Sequence, residues 1–490
     1  MFKATFLGHQ GWLFRTSTTT VLLDPLLTER FGHGGALGRM FPPRQLDVAA
    51  FPPVDAVILT HEHDDHFDVP SLHRLSRSIP VHLSVRSSSS AHALLQRMGF
   101  TVRPLLPDHE LAIGDLRYRT FVAEGIGAAG SDEWDVFPFV LRDSQGHGSF
   151  VSSIDVGLPE RMLEQLPALA PRPGVWAVAN NATSVAFQGL DSAITTGDDT
   201  PALARVLERR HAQLVAAGWT PRVTAICGAG WSFPEERAWI DAHAFPIDSE
   251  RLGEVLGEAL GERLPESSVV APAPGTTFEL REGEVVATLG AEPFLAALPR
   301  EHWPSRAHEP HASRPREYEP ACGRRSLGTG QLPALLDRLG DYARYLYGTP
   351  LFRSLCSLPL TLDGRACAWG FSLLDDDNPR CLLHDPSGSR FVVHEGIDAQ
   401  RGLLSGIELW GTDLLAFLNG ELGPTGLCYA GRLRVWNHRP ELLRVSPHDL
   451  WRFGHPLRRP EATASLYERL LTAEPRQVPR VPGRRRDPRE

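Results

Sequence analysis

The sequence predicts an α/β domain over residues 1–295 followed by a smaller α+β domain over residues 327–476. Three observations carry that division. Short apolar strands alternate with Gly/Pro turns through the first quarter, segments with apolar residues at helical spacing follow, and residues 296–326 turn Pro-, Arg- and His-rich with little apolar periodicity. That last stretch reads as a linker, and residues 477–490 read as a basic tail whose Arg484-Arg485-Arg486 run is a solvated terminus. At 490 residues the chain is also too long for one ordinary core.

In chain order, Ala4 to Phe14, broken at Gly8 and Gly11, and Thr20 to Leu23 read as strands, with Asp24-Pro25 ending the latter. Phe31 to Pro43 holds Gly32, Gly34, Gly35 and Gly38 and reads as a mobile loop. No strand leads into it and no helix follows, so it is not a dinucleotide-binding loop. Val54 to Thr60 is an apolar strand of the kind buried on both faces, and Val69-Pro70-Ser71-Leu72 opens a helix. Further strands are expected at Val81 to Val85, Tyr118 to Val122, Phe137 to Leu141, Ser149 to Ile154 and Arg222 to Cys227. Helices are expected at Pro159 to Leu166, Thr200 to Ala217 and Ser249 to Leu264. In the second domain Arg380 to Leu383 and Leu427 to Trp436 read as strands, and the runs holding Trp410 and Trp436 as core. Asp375-Asp376-Asp377 lacks the spaced ligands of a calcium loop and reads as a surface turn.

Composition removes several chemistries. Lys3 is the only lysine, which rules out Schiff-base catalysis and a Walker-type phosphate loop. None of the six cysteines forms a C-x-x-C pair, so neither a thioredoxin-like motif nor a zinc knuckle is indicated. A net charge of −9 gives no bulk attraction to nucleic acid or anionic membrane. The opening Phe2-Lys3-Ala4-Thr5-Phe6-Leu7 is strand-like rather than a signal peptide, and no apolar stretch is long enough to span a bilayer. The expectation is a soluble cytoplasmic protein with no nucleic-acid or membrane partner.

The strongest chemical signal is Leu59-Thr60-His61-Glu62-His63-Asp64-Asp65-His66. A buried strand delivers three histidines and three carboxylates into one tight turn. So many polar groups at a strand's end repel and desolvate badly unless a cation gathers them.

With that H-x-H-x-D-H spacing, the chain resembles the metallo-β-lactamase-fold superfamily over roughly residues 1–265. The resemblance implies an αββα sandwich and a dinuclear metal site. Carried over, His61 and His63 would hold metal one, while Asp65 and His66 would hold metal two. Asp24 matches the early aspartate that supports the site, and the Gly8-His9 turn before Trp12-Leu13-Phe14 is similar to the group's first hairpin. Asp155, in Ser152-Ser153-Ile154-Asp155-Val156-Gly157, fits the bridging aspartate, although the residues alone also allow a turn or cap role.

The chain departs from that pattern twice. Where metal one usually receives a third histidine, the run Arg119 to Gly125 offers Glu124, and none of His73, His82, His92, His109 and His147 ends a strand there. The last histidine normally follows a late strand, yet Cys227 is followed by Gly228-Ala229-Gly230-Trp231. His243 or His211 is left to fill that position, and His243 is preferred because His211 lies within a helix pattern.

A carboxylate in place of an imidazole makes the ligand set richer in oxygen, which suits iron or manganese better than zinc. In this the chain is similar to the diiron β-hydroxylases of chloramphenicol biosynthesis. The run His66 to Leu72 and the altered final loop also resemble the lactamase-like domain of CMP-N-acetylneuraminate hydroxylases, without the Cys/His pairs of a Rieske cluster. The resemblance implies an O2-dependent diiron monooxygenase acting on a small or carrier-bound metabolite, with two iron ions, Asp65 and Glu124 as catalytic carboxylates, and a reductase as partner. The alternative is a di-zinc or di-manganese hydrolase of a phosphodiester, lactone or amide, in which Asp65 orients the nucleophile. A degenerate scaffold, with binding left to the C-terminal unit, is a third reading that the intact motif argues against. Glu62 and Asp64 match no family ligand and are expected behind the ligands or facing solvent.

Overall fold

The computed structural model describes residues 1–33, 35–123, 133–180, 200–233, 235–241, 247–261, 264, 266–304, 317, 319–394, 398–473 and 479–484. Its first half is built on two large sheets. One has eight strands in the order Glu284–Thr288, Thr277–Arg281, Phe2–Gly8, Gly11–Arg15, Thr20–Leu23, Ala56–Leu59, Val81–Ser84 and Val102–Leu105. The other has seven: Glu110–Ile113, Leu116–Thr120, Phe139–Asp143, Ser149–Ser152, Val175–Ala179, Val223–Cys227 and Ser268–Val270. Each sheet is antiparallel at one side and parallel at the other.

The central strands of each sheet are buried on both faces, which is why Thr20–Leu23, Ala56–Leu59, Val175–Ala179 and Val223–Cys227 read as nearly continuous apolar runs. In the first sheet Phe2, Trp12, Phe14, Val21 and Ile58 face inward against Tyr118, Phe139 and Phe150 of the second. Their neighbours Leu13, Leu22, Val57 and Leu59 face outward under Leu72 and Leu94 of the helices Val69–His73 and Ser89–Arg97. The second sheet's outer face, with Val140, Val151 and Trp176, is covered by Met162, Leu207 and Leu256 of the helices Glu160–Leu169, Thr200–Ala216 and Ser249–Gly261. The layers are therefore helix, sheet, sheet, helix, as the resemblance implied.

The hairpin Thr277–Arg281/Glu284–Thr288 is not apparent in the sequence pattern. Its turn residues Glu282 and Gly283 have φ of 54° and 88°, a primed turn made without the Asn-Gly or Asp-Gly pair that announces one.

The second half centres on a six-stranded sheet in which Arg365–Leu374 and Leu403–Trp410 are the long central pair. The helices Gln331–Leu346, Gly411–Leu418 and Pro447–Phe453 cover it with Leu339, Tyr342, Phe417 and Trp451. Trp410 and Trp436 are buried, as expected. Only the last part of the run Leu427 to Trp436 is a strand, Leu433–Asn437, because Pro424 starts a short helix that ends at Cys428.

Four boundaries differ from those read in the sequence. Phe31 to Pro43 forms two short strands, Arg30–Phe31 and Gly38–Met40, which pair with each other and with Trp231–Ser232 around buried Phe31, Leu37 and Met40. The expected linker begins as part of the first unit, since Leu295–Ala297 pairs with Arg44–Leu46 and Trp303 packs on Phe41. The helix Pro460–Thr472, assigned to the second domain, places Leu466 and Tyr467 in the core beneath the helices of the first. The tail is docked as well: Val481 is buried, its N–H donates to the Arg74 carbonyl at 2.7 Å, and Arg484 Nε lies 3.1 Å from Asp55. Arg485 and Arg486 lie outside the described residues.

Candidate metal centre

Three strands deliver the centre. Thr20–Leu23 runs into Asp24, Ala56–Leu59 into the histidine motif, and Ser149–Ser152 into Asp155. Asp24 turns back at φ 41°, and its buried carboxylate accepts from the Thr60 N–H at 2.8 Å, the Thr60 hydroxyl at 2.6 Å and His66 Nδ1 at 2.7 Å. Because the Thr60 hydroxyl gives its proton to Asp24, its oxygen accepts from His61 Nδ1 at 2.9 Å. Both rings thus carry a proton on Nδ1 and turn the Nε2 lone pair inward. Such partners fix the tautomer of a ligating histidine.

Among the described residues neither His61 Nε2 nor His66 Nε2 has a hydrogen-bond partner, and both are buried. They lie 3.3 and 3.2 Å from the same atom, Asp155 Oδ2. Metal–ligand bonds of about 2.0–2.2 Å put neighbouring ligands roughly 3–3.5 Å apart, so these spacings fit donors that share a cation. Glu133 Oε2 is 3.9 Å from His61 Nε2 and 3.7 Å from His63 Nδ1. One donor set is therefore His61, His63, Glu133 and Asp155, and the other is His9, Asp65 and His66. Asp155 Oδ2 reaches both, while its Oδ1 accepts from the Gln10 amide at 2.6 Å.

His9 enters from the first hairpin. Its Nε2 is 2.9 Å from Asp65 Oδ2, and its Nδ1 accepts from the Gly230 N–H at 3.3 Å. With Nδ1 accepting, Nε2 holds the proton and donates to Asp65, so in this geometry His9 orients that carboxylate. The approach requires glycine at 230, where an added Cβ would stand 2.4 Å from the His9 Cα. The loop after the late strand, which carries no histidine of its own, thus clamps one from elsewhere.

The charges are mutually frustrated. Burial, then His66 and His63, push His61 well below the ordinary imidazole value. His66 rises well above it despite burial, through Asp24 and Asp65. Burial also opposes the charge on His63, yet Glu133, Asp65 and Asp135 raise it to about 9. Asp65 is lowered by His66 and His9 against its burial. Burial raises Glu133, and Asp155 and Asp65 add to that against the pull of His63. Cations held by the two sets would relieve these conflicts together, because each of these groups would then present its unprotonated form to positive charge.

The structure brings together His61, His63, Asp65, His66 and Asp155, five of the residues singled out from the sequence. Glu124 and His243 lie outside the described residues. Sequence reasoning missed Glu133 and His9. Glu133 begins the run Glu133-Trp134-Asp135, nine positions after Glu124 in the sequence, and acids flanking a tryptophan after a Gly/Ala-rich stretch were the available signal. Glu62 and Asp64 do not face solvent. Glu62 is buried, accepting from the Ser88 N–H and hydroxyl at 2.6 Å each and from the Tyr467 hydroxyl at 2.8 Å. Asp64 Oδ1 lies 3.4 Å from His33 Nε2. Among the other histidines, His147 pairs with Asp143 at 2.5 Å, and His211 is buried against Trp176 on the second sheet's outer side.

Residues 19–169 match a family described as the β-lactamase superfamily domain. Uncharacterized proteins of Mycobacterium bovis and Mycobacterium tuberculosis are 34% identical over 70 residues, which is 14% of this chain and 18% of theirs. Three solved structures are similar in fold, each with a TM-score of 0.37 and covering 57% of this chain. A metallo hydrolase from Ignicoccus hospitalis is 14% identical and an isothiocyanate hydrolase from Delia radicum gut bacteria is 18% identical, each over 99% of its own length. A diiron β-hydroxylase from Streptomyces venezuelae is 17% identical over 54% of its length.

Proposed function

We propose that this chain, whose first half is a metallo-β-lactamase-fold unit, is a dinuclear iron monooxygenase that hydroxylates a small or carrier-bound metabolite. One observation supports iron and oxygen chemistry above the rest: the fourth donor beside His61, His63 and Asp155 is the carboxylate of Glu133. Zinc in a mixed site favours imidazole, whereas a carboxylate-rich pair suits iron. What bound iron supplies is reductive activation of dioxygen, with two electrons drawn from a reductase.

The protein's own part is positioning and exclusion. Asp24 and Thr60 hold His66 and His61 in the tautomers that face inward. His9 fixes the Asp65 carboxylate, and Gln10 fixes that of Asp155. His63, Asp65 and Glu133 keep 18, 18 and 23% of their side chains exposed, whereas His61 and His66 keep none, so among the described residues the centre is open beside the first three. Substrate and dioxygen enter there. Phe31 and Trp231 pack against the His9 ring.

Glu133→His tests this reading. It should shift bound metal from iron toward zinc and suppress dioxygen uptake by the reduced protein. An unchanged iron-to-zinc ratio with undiminished uptake would remove the support for the oxygenase and favour a hydrolase.

A further inference from the structure

The segment that carries Glu133 is held from two directions. Asp135 anchors it to the metal motif: its Oδ2 accepts from the Glu62 N–H at 3.0 Å and from the Ser87 hydroxyl at 2.6 Å. Trp134 points the other way. Its indole is buried in the hydrophobic core of the C-terminal unit, together with Trp451, Phe453, Leu415 and Leu450. The His455 ring stands 4.2 Å from it at 60°, itself buried, with Nδ1 accepting from the Leu457 N–H at 3.1 Å. The C-terminal unit also reaches the adjoining ligand directly, since the His63 ring lies 5.5 Å from Trp134 and 6.0 Å from Trp451.

The other donor set has different supports. His9, Asp65 and His66 are held by Asp24, Gly230 and the first hairpin, all in the N-terminal unit. The two metal positions therefore differ in what secures them. A side chain fixed on both flanks keeps its carboxylate near one geometry before a cation arrives. Loss of one flank releases a loop-borne glutamate into many rotamers, and binding must then order it again.

We propose that Trp134 is the positioning residue for Glu133, so that docking of the C-terminal unit sets the affinity of the His61/His63/Glu133 position and leaves the Asp65/His66 position unaffected. The proposal rests on the dinuclear reading above, but not on which metal is bound or which reaction follows. The C-terminal unit thereby becomes one wall of the metal centre.

Titrating metal-free, full-length protein with cobalt(II), and following its ligand-field absorption, reads the two positions as separate steps. Wild type should show both. In Trp134→Ala one step should stay unchanged and the other weaken by about 10–100-fold, the range for losing an outer support of a ligand. Trp134→Phe, which refills much of the socket, should recover most of the loss. His455→Ala removes the facing ring from the C-terminal side, replaces no proposed ligand, and should weaken the same step. It carries the test alone if the alanine variant at 134 does not fold. Two unchanged steps in folded Trp134→Ala, or in His455→Ala where that variant carries the test, overturn the proposal while leaving the dinuclear reading intact. Equal weakening of both steps overturns it as well. A wild-type protein that takes up no cobalt sinks both.

Discussion

Asp155→Ala is expected to abolish high-affinity binding at both metal positions. Its Oδ2 lies 3.3 Å from His61 Nε2 and 3.2 Å from His66 Nε2, so this single atom serves both donor sets. Removing it leaves two buried imidazole nitrogens that no carboxylate joins, and it frees the Gln10 amide that now holds Oδ1. The loss in affinity should exceed the roughly 10–100-fold typical of outer supports, because a ligand itself is removed. Elemental analysis of protein exchanged into metal-free buffer should find two metals per wild-type chain and close to none in the variant. Asp155→Asn keeps the shape and one oxygen but loses the charge, so it should retain part of the metal. Full occupancy in Asp155→Ala would mean that the bridging position is elsewhere.

The second large effect concerns stability. A chain ending at Pro299 keeps both large sheets of the first unit, yet it should be insoluble or loosely folded. It lacks Leu466, Tyr467 and Val481, which belong to the core beneath the helices Val69–His73 and Ser89–Arg97. Full burial of each such side chain is worth about 1.5–3 kcal/mol, so their loss removes about 5 kcal/mol or more. That is comparable with the roughly 5–15 kcal/mol by which whole domains are stable. The truncation also strips the Tyr467 hydroxyl from the Glu62 carboxylate inside the metal motif, and exposes Trp134. Recovery of a soluble, cooperatively unfolding protein of residues 1–299 would show that the last helix and tail contribute little to that core.

The parts of this architecture that were legible in the sequence are those in which the information is local. Ala56 to His66 places the preceding strand, the ligands and their tautomer-fixing neighbour within eleven residues. Asp24 and Asp155 were legible because each closely follows a short apolar strand. Glu133 was not, because its position is set by Trp134 and Asp135, whose partners lie in the C-terminal unit and at Glu62 and Ser87. His9 was visible as part of a hairpin turn, but its reach to Asp65 depends on the close approach of Gly230, more than two hundred residues away. The tail misled for a related reason. Its arginines suggest a solvated end, yet Arg484 pairs with Asp55, Val481 is buried, and the backbone pairs to Val54 and Leu75.

A pair of iron ions in a carboxylate-rich site that reacts with dioxygen has a direct signature. Full-length protein isolated from cells supplied with both iron and zinc is analysed for metal, then reduced anaerobically and exposed to a measured amount of dioxygen. Two irons per chain are expected, together with consumption of dioxygen by the reduced protein and a change in the iron's optical spectrum. Two zinc ions per chain, no spectral change and no dioxygen consumed would contradict the iron oxygenase.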